Sequence, residues 1–445
     1  MEYTVEGLLE KGSFDCACGK THKAHLKRAI VCSGAINALP GQIKMLGGTK
    51  AFIVADENTF AAAGERVTAV LDAEKIAYTL FSFSKERIEP DEKAVGAVIL
   101  NRDYSCDILV GIGSGVINDI CKIVSRQSGL PYIIVGTAPS MDGYASSTSS
   151  VVRGGLKVSV GSRCPDVVIG DTDVLVSAPM LMIQSGLGDM LAKYVSVCEW
   201  RIGNIVTGEY YCEEVSKIIR SALKTITDNA GGIINRDKKA VEAVMNGLIL
   251  SGIAADYAGV SRPVSGVEHY FSHLWDMRAV EFGTPWSLHG IQCGIGTYLA
   301  AKGYEMLLNV TPDREKATEY FRAFDKDERA KVLKEYLGGA ADAILTNLFT
   351  SERYSEKLHE KRLENIIAHW DEIKGIIRDE MPTQSQIGAI LDTIGAMKSS
   401  ADFGVPESEN ALTFRLTMDI RDKYILSTLL FDMGLTDASD MLYGK

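Results

Sequence analysis

The rhythm of apolar and polar positions changes part-way along the chain. Between about Thr49 and Val168, short apolar runs rich in β-branched residues alternate with stretches of helical period. Lys50-Ala-Phe-Ile-Val-Ala-Asp56 predicts a strand that ends in an acid. Tyr78 to Phe83 predicts a second, Cys106-Asp-Ile-Leu-Val-Gly-Ile-Gly113 a third of the buried type, and Pro131-Tyr-Ile-Ile-Val135 a fourth. Glu65 to Lys75, Glu92 to Asn101 and Asn118 to Arg126 read as helices between and after them. Strand and helix alternating at this spacing predict a mostly parallel sheet with helices on both faces. After Pro179 no proline occurs until Pro263, and the segments read as helices: Glu213 to Asp228, Lys239 to Ala254, Arg314 to Tyr336 and Ser355 to Ile377. The pattern predicts an α/β domain over 1–180 and an all-helical domain over 181–445.

Composition narrows the class. The 445 residues are 46% hydrophobic and 24% charged, the balance of an ordinary folded chain rather than a disordered, collagenous or disulfide-stapled one. A net charge of -11 argues against holding DNA or RNA by its phosphates. A small anion can still bind where a few cations and backbone N–H groups converge. The nine cysteines are sparse and odd in number, and no basic segment followed by an apolar run opens the chain. Both point to reduced thiols and a cytoplasmic protein. The most apolar runs, such as Ile108 to Ile112, are short and broken by glycine, so no membrane span is predicted.

Four motifs carry candidate chemistry. Gly111-Ile-Gly113-Ser114-Gly115-Val-Ile-Asn-Asp119 follows an apolar strand and opens a helix. Glycines there let a diphosphate approach the backbone, and the helix start offers free N–H groups. The same glycines also suit a tight, well-packed turn. No Walker lysine follows, which disfavours an ATPase loop. Asp56 can accept hydrogen bonds from an adenosine ribose, favouring NAD over NADP, or cap the helix that follows. Thr137-Ala-Pro-Ser-Met-Asp-Gly143 follows the next strand, at the same sheet edge, with hydroxyls at Thr137, Ser140 and Ser146 and an acceptor at Asp142. It reads either as a ligand loop or as a turn of ordinary turn formers. His269 and His273 share a helix face, His289 sits among glycines, and Gly186-Leu-Gly-Asp189 reads as the start of a helix bearing a carboxylate. Two imidazoles and one carboxylate suit a divalent ion with an open position, although an HxxxH pair is also common as plain structure. Cys16-Ala-Cys18-Gly-Lys-Thr-His22-Lys-Ala-His25 has the look of a zinc knuckle, but its cysteines are one residue apart, tighter than usual, and the plainer expectation is a hairpin with exposed polar residues.

Taken together and in order, Gly113-Ser-Gly-Val-Ile-Asn-Asp119 with Lys122, Thr137 to Ser146, Gly155-Leu-Lys157, Gly186-Leu-Gly-Asp-Met-Leu-Ala-Lys193 and Ser261-Arg-Pro-Val-Ser-Gly-Val-Glu-His269 to His273 resemble the sn-glycerol-1-phosphate dehydrogenases, especially the bacterial branch. That family lies within the dehydroquinate-synthase-like and iron-containing alcohol dehydrogenase group. The resemblance implies an N-terminal Rossmann-like domain, a helical C-terminal domain, an active site in the cleft between them, and a homodimer. It implies reversible, NAD(H)- or NADP(H)-linked reduction of glycerone phosphate to sn-glycerol 1-phosphate with one divalent metal: zinc, nickel or iron. By position the metal ligands would be Asp189, His269 and His289. Substrate would meet Asp142, Asp189 and His273, with Asp142 and His273 as the catalytic candidates. The coenzyme would lie on Asp56, Gly115, Val116, Ile117, Asn118, Asp119, Thr137, Ala138, Pro139, Ser140 and Ser146. Gly136 departs from the family, where a proline is common, and the helical stretch around 305–360 has no counterpart in compact members.

On this basis the expected partner is a phosphorylated triose or polyol, not nucleic acid. Lys157 and Arg262, each in a recognisable loop, are the preferred cations for its phosphate. Lys122 and Lys193 are further candidates or plain helix-surface charges. Alternative readings are another polyol or polyol-phosphate dehydrogenase of the same fold, a dehydroquinate synthase-like sugar-phosphate cyclase, and a non-catalytic NAD-binding scaffold.

Overall fold

The structure is a computed structural model and describes residues 3–84, 88–154 and 156–444. Six strands form one sheet: β1 (Arg28–Cys32), β2 (Lys50–Asp56), β3 (Ala77–Phe83), β4 (Ile108–Gly113), β5 (Tyr132–Gly136) and β6 (Val167–Asp171). Their spatial order is β1-β6-β5-β4-β2-β3, and every neighbouring pair is parallel. β4, β5 and β6 are buried at every position, which is why they read as continuous apolar runs rather than as alternation. Ile53, Val110, Ile133 and Ile169 from four adjacent strands share a core with Leu39, Val67 and Leu71 from helices.

The chain order sets the place of the site. β3 lies on one side of β2, and the chain then returns to lay β4 on the other side. The connections therefore reverse direction between β2 and β4, and a crevice opens beyond their carboxyl ends, at Asp56 and Gly113. The glycine turn leaves one wall of that crevice.

The expected strands and helices of this region are present. β1 was not anticipated, because Arg28–Cys32 is a half-exposed edge strand of mixed pattern. Nor was the antiparallel ribbon of Thr148–Arg153 and Leu156–Gly161. In the helical half, the expected Arg314 to Tyr336 helix is two, Arg314–Ala323 and Lys326–Leu337. Asp325 accepts hydrogen bonds from the N–H groups of Asp327 and Glu328 and so starts a new helix where the apolar period runs on. Ser355 to Ile377 likewise divides, at His369, into Glu356–Ala368 and Trp370–Glu380. No helix among the described residues is long and apolar enough to cross a membrane.

By packing, the chain forms two units. One holds the sheet and runs to Met190, with Glu214–Val260 added; the other holds Leu191–Glu213 and the residues from Ser261 onward. The helix Met180–Thr207 passes from the first into the second after Met190.

Candidate functional site

The glycines of the first motif serve different ends. A Cβ on Gly111 would sit 2.8 Å from the Tyr132 hydroxyl, and one on Gly113 would sit 2.6 Å from Ile117. Both are packing glycines. Gly115, the first residue of the helix Gly115–Ser128, would meet only Met141, at an ordinary 3.4 Å. Packing does not demand glycine there, and the residue preceding it, Ser114, makes no side-chain cap. The first N–H groups of the helix thus lie uncapped at the carboxyl end of β4, the arrangement that receives a phosphate. Val116, Ile117, Asn118 and Asp119 form its first turn.

Asp56 caps the short helix Glu57–Thr59: its Oδ1 accepts the Thr59 N–H at 2.8 Å, and Thr59 Oγ1 accepts the Asp56 N–H at 3.0 Å. The capping alternative is therefore realised, at the same strand end where a ribose would lie.

The Thr137 to Ser140 loop is tied directly to the glycine turn, since Thr137 N–H donates to the Gly113 carbonyl at 3.1 Å. Tyr144 Oη donates to the Ala138 carbonyl at 2.7 Å, and Ser185 Oγ to that of Ser140 at 2.9 Å. Beneath the loop, Lys122 is fully buried. Its ammonium lies 2.9 Å from Asp119, 3.1 Å from the Gly143 carbonyl and 3.2 Å from Ser146 Oγ, and also donates to the Thr148 carbonyl. Asn118 Nδ2 donates to Gly143 as well, at 3.0 Å. Lys122 is thus no surface charge; it fastens the turn carrying Asp142 onto the helix that starts at Gly115. Asp142 in turn gives its N–H to Asp189 Oδ2 at 2.8 Å and accepts from Ser251 Oγ at 3.0 Å.

Gly186-Leu-Gly-Asp189 does not open a helix. It lies within Met180–Thr207. Glycine is required there by proximity: a Cβ on Gly186 would stand 1.9 Å from the Pro139 carbonyl oxygen. Gly186→Ala should therefore destabilise the fold by about 1–3 kcal/mol, the usual range for overpacking. The roughly 1 kcal/mol that alanine gains in a helix is too little to reverse the sign, because a backbone oxygen cannot swing aside. Urea unfolding checks this.

The histidines lie on two helices of the second unit, Val267–Phe282 and His289–Leu307. The helices touch closely, since a Cβ on Gly296 would lie 2.7 Å from the Glu268 carbonyl oxygen. The His269 and His289 rings are 5.0 Å apart between centroids, and the His273 and His289 rings 6.2 Å. Each of the two nearer rings has its Nδ1 engaged. His269 Nδ1 lies 2.8 Å from Glu268 Oε1. His289 Nδ1 lies 3.0 Å from Ser272 Oγ, whose own proton goes to Gln292 Oε1 at 2.7 Å. Both imidazoles therefore donate from Nδ1 and keep the Nε2 lone pair, as a metal ligand requires. Asp189, His269, His289 and Cys293 each offer a ligand atom, and these atoms all lie within 4.8 Å of one another. This donor set fits a divalent ion. Cys293, Glu268 and Ser272 were not anticipated; the four-residue spacing of His289 and Cys293 on one helix face was the available signal.

Behind His269 lie two buried carboxyls. Burial, then the charge of Glu268, pushes Glu199 upward; burial likewise raises Glu268. Glu199 accepts the N–H groups of Val267 and Leu426 at 3.1 and 2.8 Å. The pair anchors the start of the first histidine helix.

The remaining candidates sit as follows. Arg262 is buried and donates to Glu209, at 2.8 Å from Nε, and to the carbonyls of Glu199 and Tyr424 at 3.1 and 2.9 Å. These are the contacts of an internal clamp. Lys193 is fully buried and donates to the Val264 carbonyl at 3.0 Å, so it too is no surface charge. Lys157 lies on the ribbon strand Leu156–Gly161. Gly155, quoted in the same motif, lies outside the described residues.

A family model described as iron-containing alcohol dehydrogenase matches residues 30–179. A protein of Geobacillus thermodenitrificans named glycerol-1-phosphate dehydrogenase (NAD(P)+) is 30% identical over 363 residues, covering 76% of this chain and 90% of its own length. One of the same name from Bacillus licheniformis is 31% identical over 327 residues, covering 72% and 82%. The chain belongs to the glycerol-1-phosphate dehydrogenase family. Among solved structures, an iron-containing alcohol dehydrogenase from Corynebacterium glutamicum superposes with a TM-score of 0.60 over 95% of this chain and 97% of its own, at 15% identity. That likeness concerns the fold alone. In this glycerol-1-phosphate dehydrogenase family member, the segment matched by the alcohol dehydrogenase model takes in nearly the whole sheet, from within β1 to beyond β6.

Proposed function

We propose that the protein catalyses the reversible NAD(P)H-linked reduction of glycerone phosphate to sn-glycerol 1-phosphate, with a divalent ion held by Asp189, His269 and His289. The observation that carries this reading is the convergence of one carboxylate and two Nε2-presenting imidazoles, joined through Asp142 to the loop at the sheet's carboxyl edge. When bound, the ion supplies a Lewis acid for a carbonyl oxygen that becomes an alkoxide, and the nicotinamide supplies hydride.

The chain's own groups do the rest. The uncapped N–H groups at Gly115 bind the coenzyme diphosphate, flanked by Asp56, the first turn to Asp119, and Thr137, Ala138, Pro139, Ser140 and Ser146. Asp142, fixed by Ser251 and by its own N–H on Asp189, orients the substrate hydroxyl. His273 delivers a proton to the substrate oxygen and takes it back in the reverse direction. Lys157 meets the substrate phosphate. Arg262, the other cation preferred from sequence, acts at a distance by bracing the helices. A cytoplasmic location and a homodimer are part of the proposal.

The test is NADH oxidation with glycerone phosphate, using metal-stripped protein refilled with zinc, nickel or iron. Stoichiometric NAD+ accumulation is expected. Turnover of glycerol alone, or a cyclised product without net NAD+, would overturn the assignment. Gly115→Ala probes the coenzyme half by itself. Its Cβ has room, so thermal stability should hold, while coenzyme affinity falls on the order of tenfold, equivalent to about 1.4 kcal/mol. Fluorescence titration with NADH reads it out.

A further inference from the structure

The N-terminal cysteine motif is more than a hairpin. Phe14–Asp15 and Thr21–His22 do pair as an antiparallel hairpin. His22, however, is fully buried rather than exposed. Its ring stacks on Tyr257 at 5.5 Å and meets the Phe14 edge at 5.3 Å. The tight turn is closed by Cys16 N–H to the Lys20 carbonyl and Gly19 N–H to the Cys16 carbonyl, both 3.0 Å, with Gly19 at φ +84°. The left-handed residue turns the chain back after Cys18, so that His22 returns beside the cysteines. A third cysteine, Cys212, buried and placed just before the helix Glu213–Asn229, completes a group. The body of that helix packs with the N-terminal segment, where Tyr3 donates to Ser221 Oγ and Glu214 Oε2, each at 3.2 Å.

We propose that Cys16, Cys18, His22 and Cys212 bind a structural zinc ion, distinct from the ion of the dehydrogenase site. Each offers one ligand atom, and these atoms all lie within 4.8 Å of one another. His22 Nδ1 donates to the Tyr257 carbonyl at 2.7 Å, which fixes the tautomer and leaves Nε2 as the ligand atom. That Nε2 is 3.4 Å from Cys18 Sγ. A tetrahedron with zinc–sulfur bonds of about 2.3 Å and zinc–nitrogen bonds of about 2.0–2.1 Å has edges of roughly 3.5–3.8 Å, so the spacing is that of two neighbouring ligands. Three thiolates and one imidazole are a closed, soft set that selects zinc and leaves no position for substrate. Its work is to tie the start of the chain to the helix at Glu213. The sequence hid the site because the fourth ligand lies almost two hundred positions downstream and no spacing rule reaches it.

Metal analysis of the protein as purified, together with two variants, decides the matter. Native protein is expected to hold one zinc per chain beyond the dehydrogenase ion. Cys212→Ser should lose that one equivalent, and His289→Ala should lose the other and keep this one. Zinc-edge X-ray absorption of His289→Ala is expected to fit three sulfurs and one nitrogen, and it needs no cysteine variant to fold. A zinc shell of oxygen and nitrogen only, less than a tenth of an equivalent in His289→Ala, or a disulfide among Cys16, Cys18 and Cys212 in native protein would each overturn the proposal.

Discussion

His289→Ala is expected to lose the dehydrogenase ion and to lower kcat by about a thousandfold or more. Stabilising a developing alkoxide is worth several kcal/mol, and each 1.36 kcal/mol is tenfold in rate. The fold should survive. His289 is only half-buried, at the first position of its helix, and Ser272 keeps its bond to Gln292 when the ring is gone. Metal content and rate should therefore collapse together while the melting temperature changes little. Cys293→Ala is the contrast. A catalytic ion needs an open position, so the thiol 3.6 Å from His289 Nε2 serves as a small buried neighbour, and the ion should remain. A metal-loaded, fully active His289→Ala enzyme would sink the ligand assignment.

Lys122→Met should cost about 3–5 kcal/mol, the range found when one member of a buried ion pair is removed. Methionine fills the volume but offers no N–H. Asp119 loses its cation, and among the described residues a 3.3 Å contact from the Ser150 N–H remains, while the Gly143 and Thr148 carbonyls and Ser146 Oγ lose a donor. Those groups hold the turn that carries Asp142, so coenzyme and substrate binding should both weaken in whatever folds. Guanidinium unfolding measures the first effect and the rise in KM the second. A variant as stable as the parent would mean that the lysine's contacts contribute nothing.

Periodicity was a good guide where burial is uniform. β4 and β5 are covered on both faces, so their apolar runs had few alternatives, whereas β1, on an edge, left almost no pattern. His269, His273 and His289 stood out in the sequence as a cluster, while the choice of His269 with His289 came from the family resemblance; the glycines around His289 signalled a close backbone approach, and Gly296 lies against Glu268. The partners that fix their tautomers could not, because Glu268 and Ser272 resemble any helix residues until the second helix is in place. Lys122 and Lys193 were open to misreading for a related reason. A lysine gives no sign in sequence of being fully buried, since its acceptors are backbone carbonyls that any residue supplies.

The contact between Gly296 and the Glu268 backbone bears on which element the enzyme uses. With the two helices pressed together there is little slack for the imidazoles to follow an ion's radius or preferred angles. A frame with so little give favours those first-row cations whose size and preferred angles match it, so fit as well as intrinsic affinity ranks them. Cellular supply then decides only among the ions that the frame already admits.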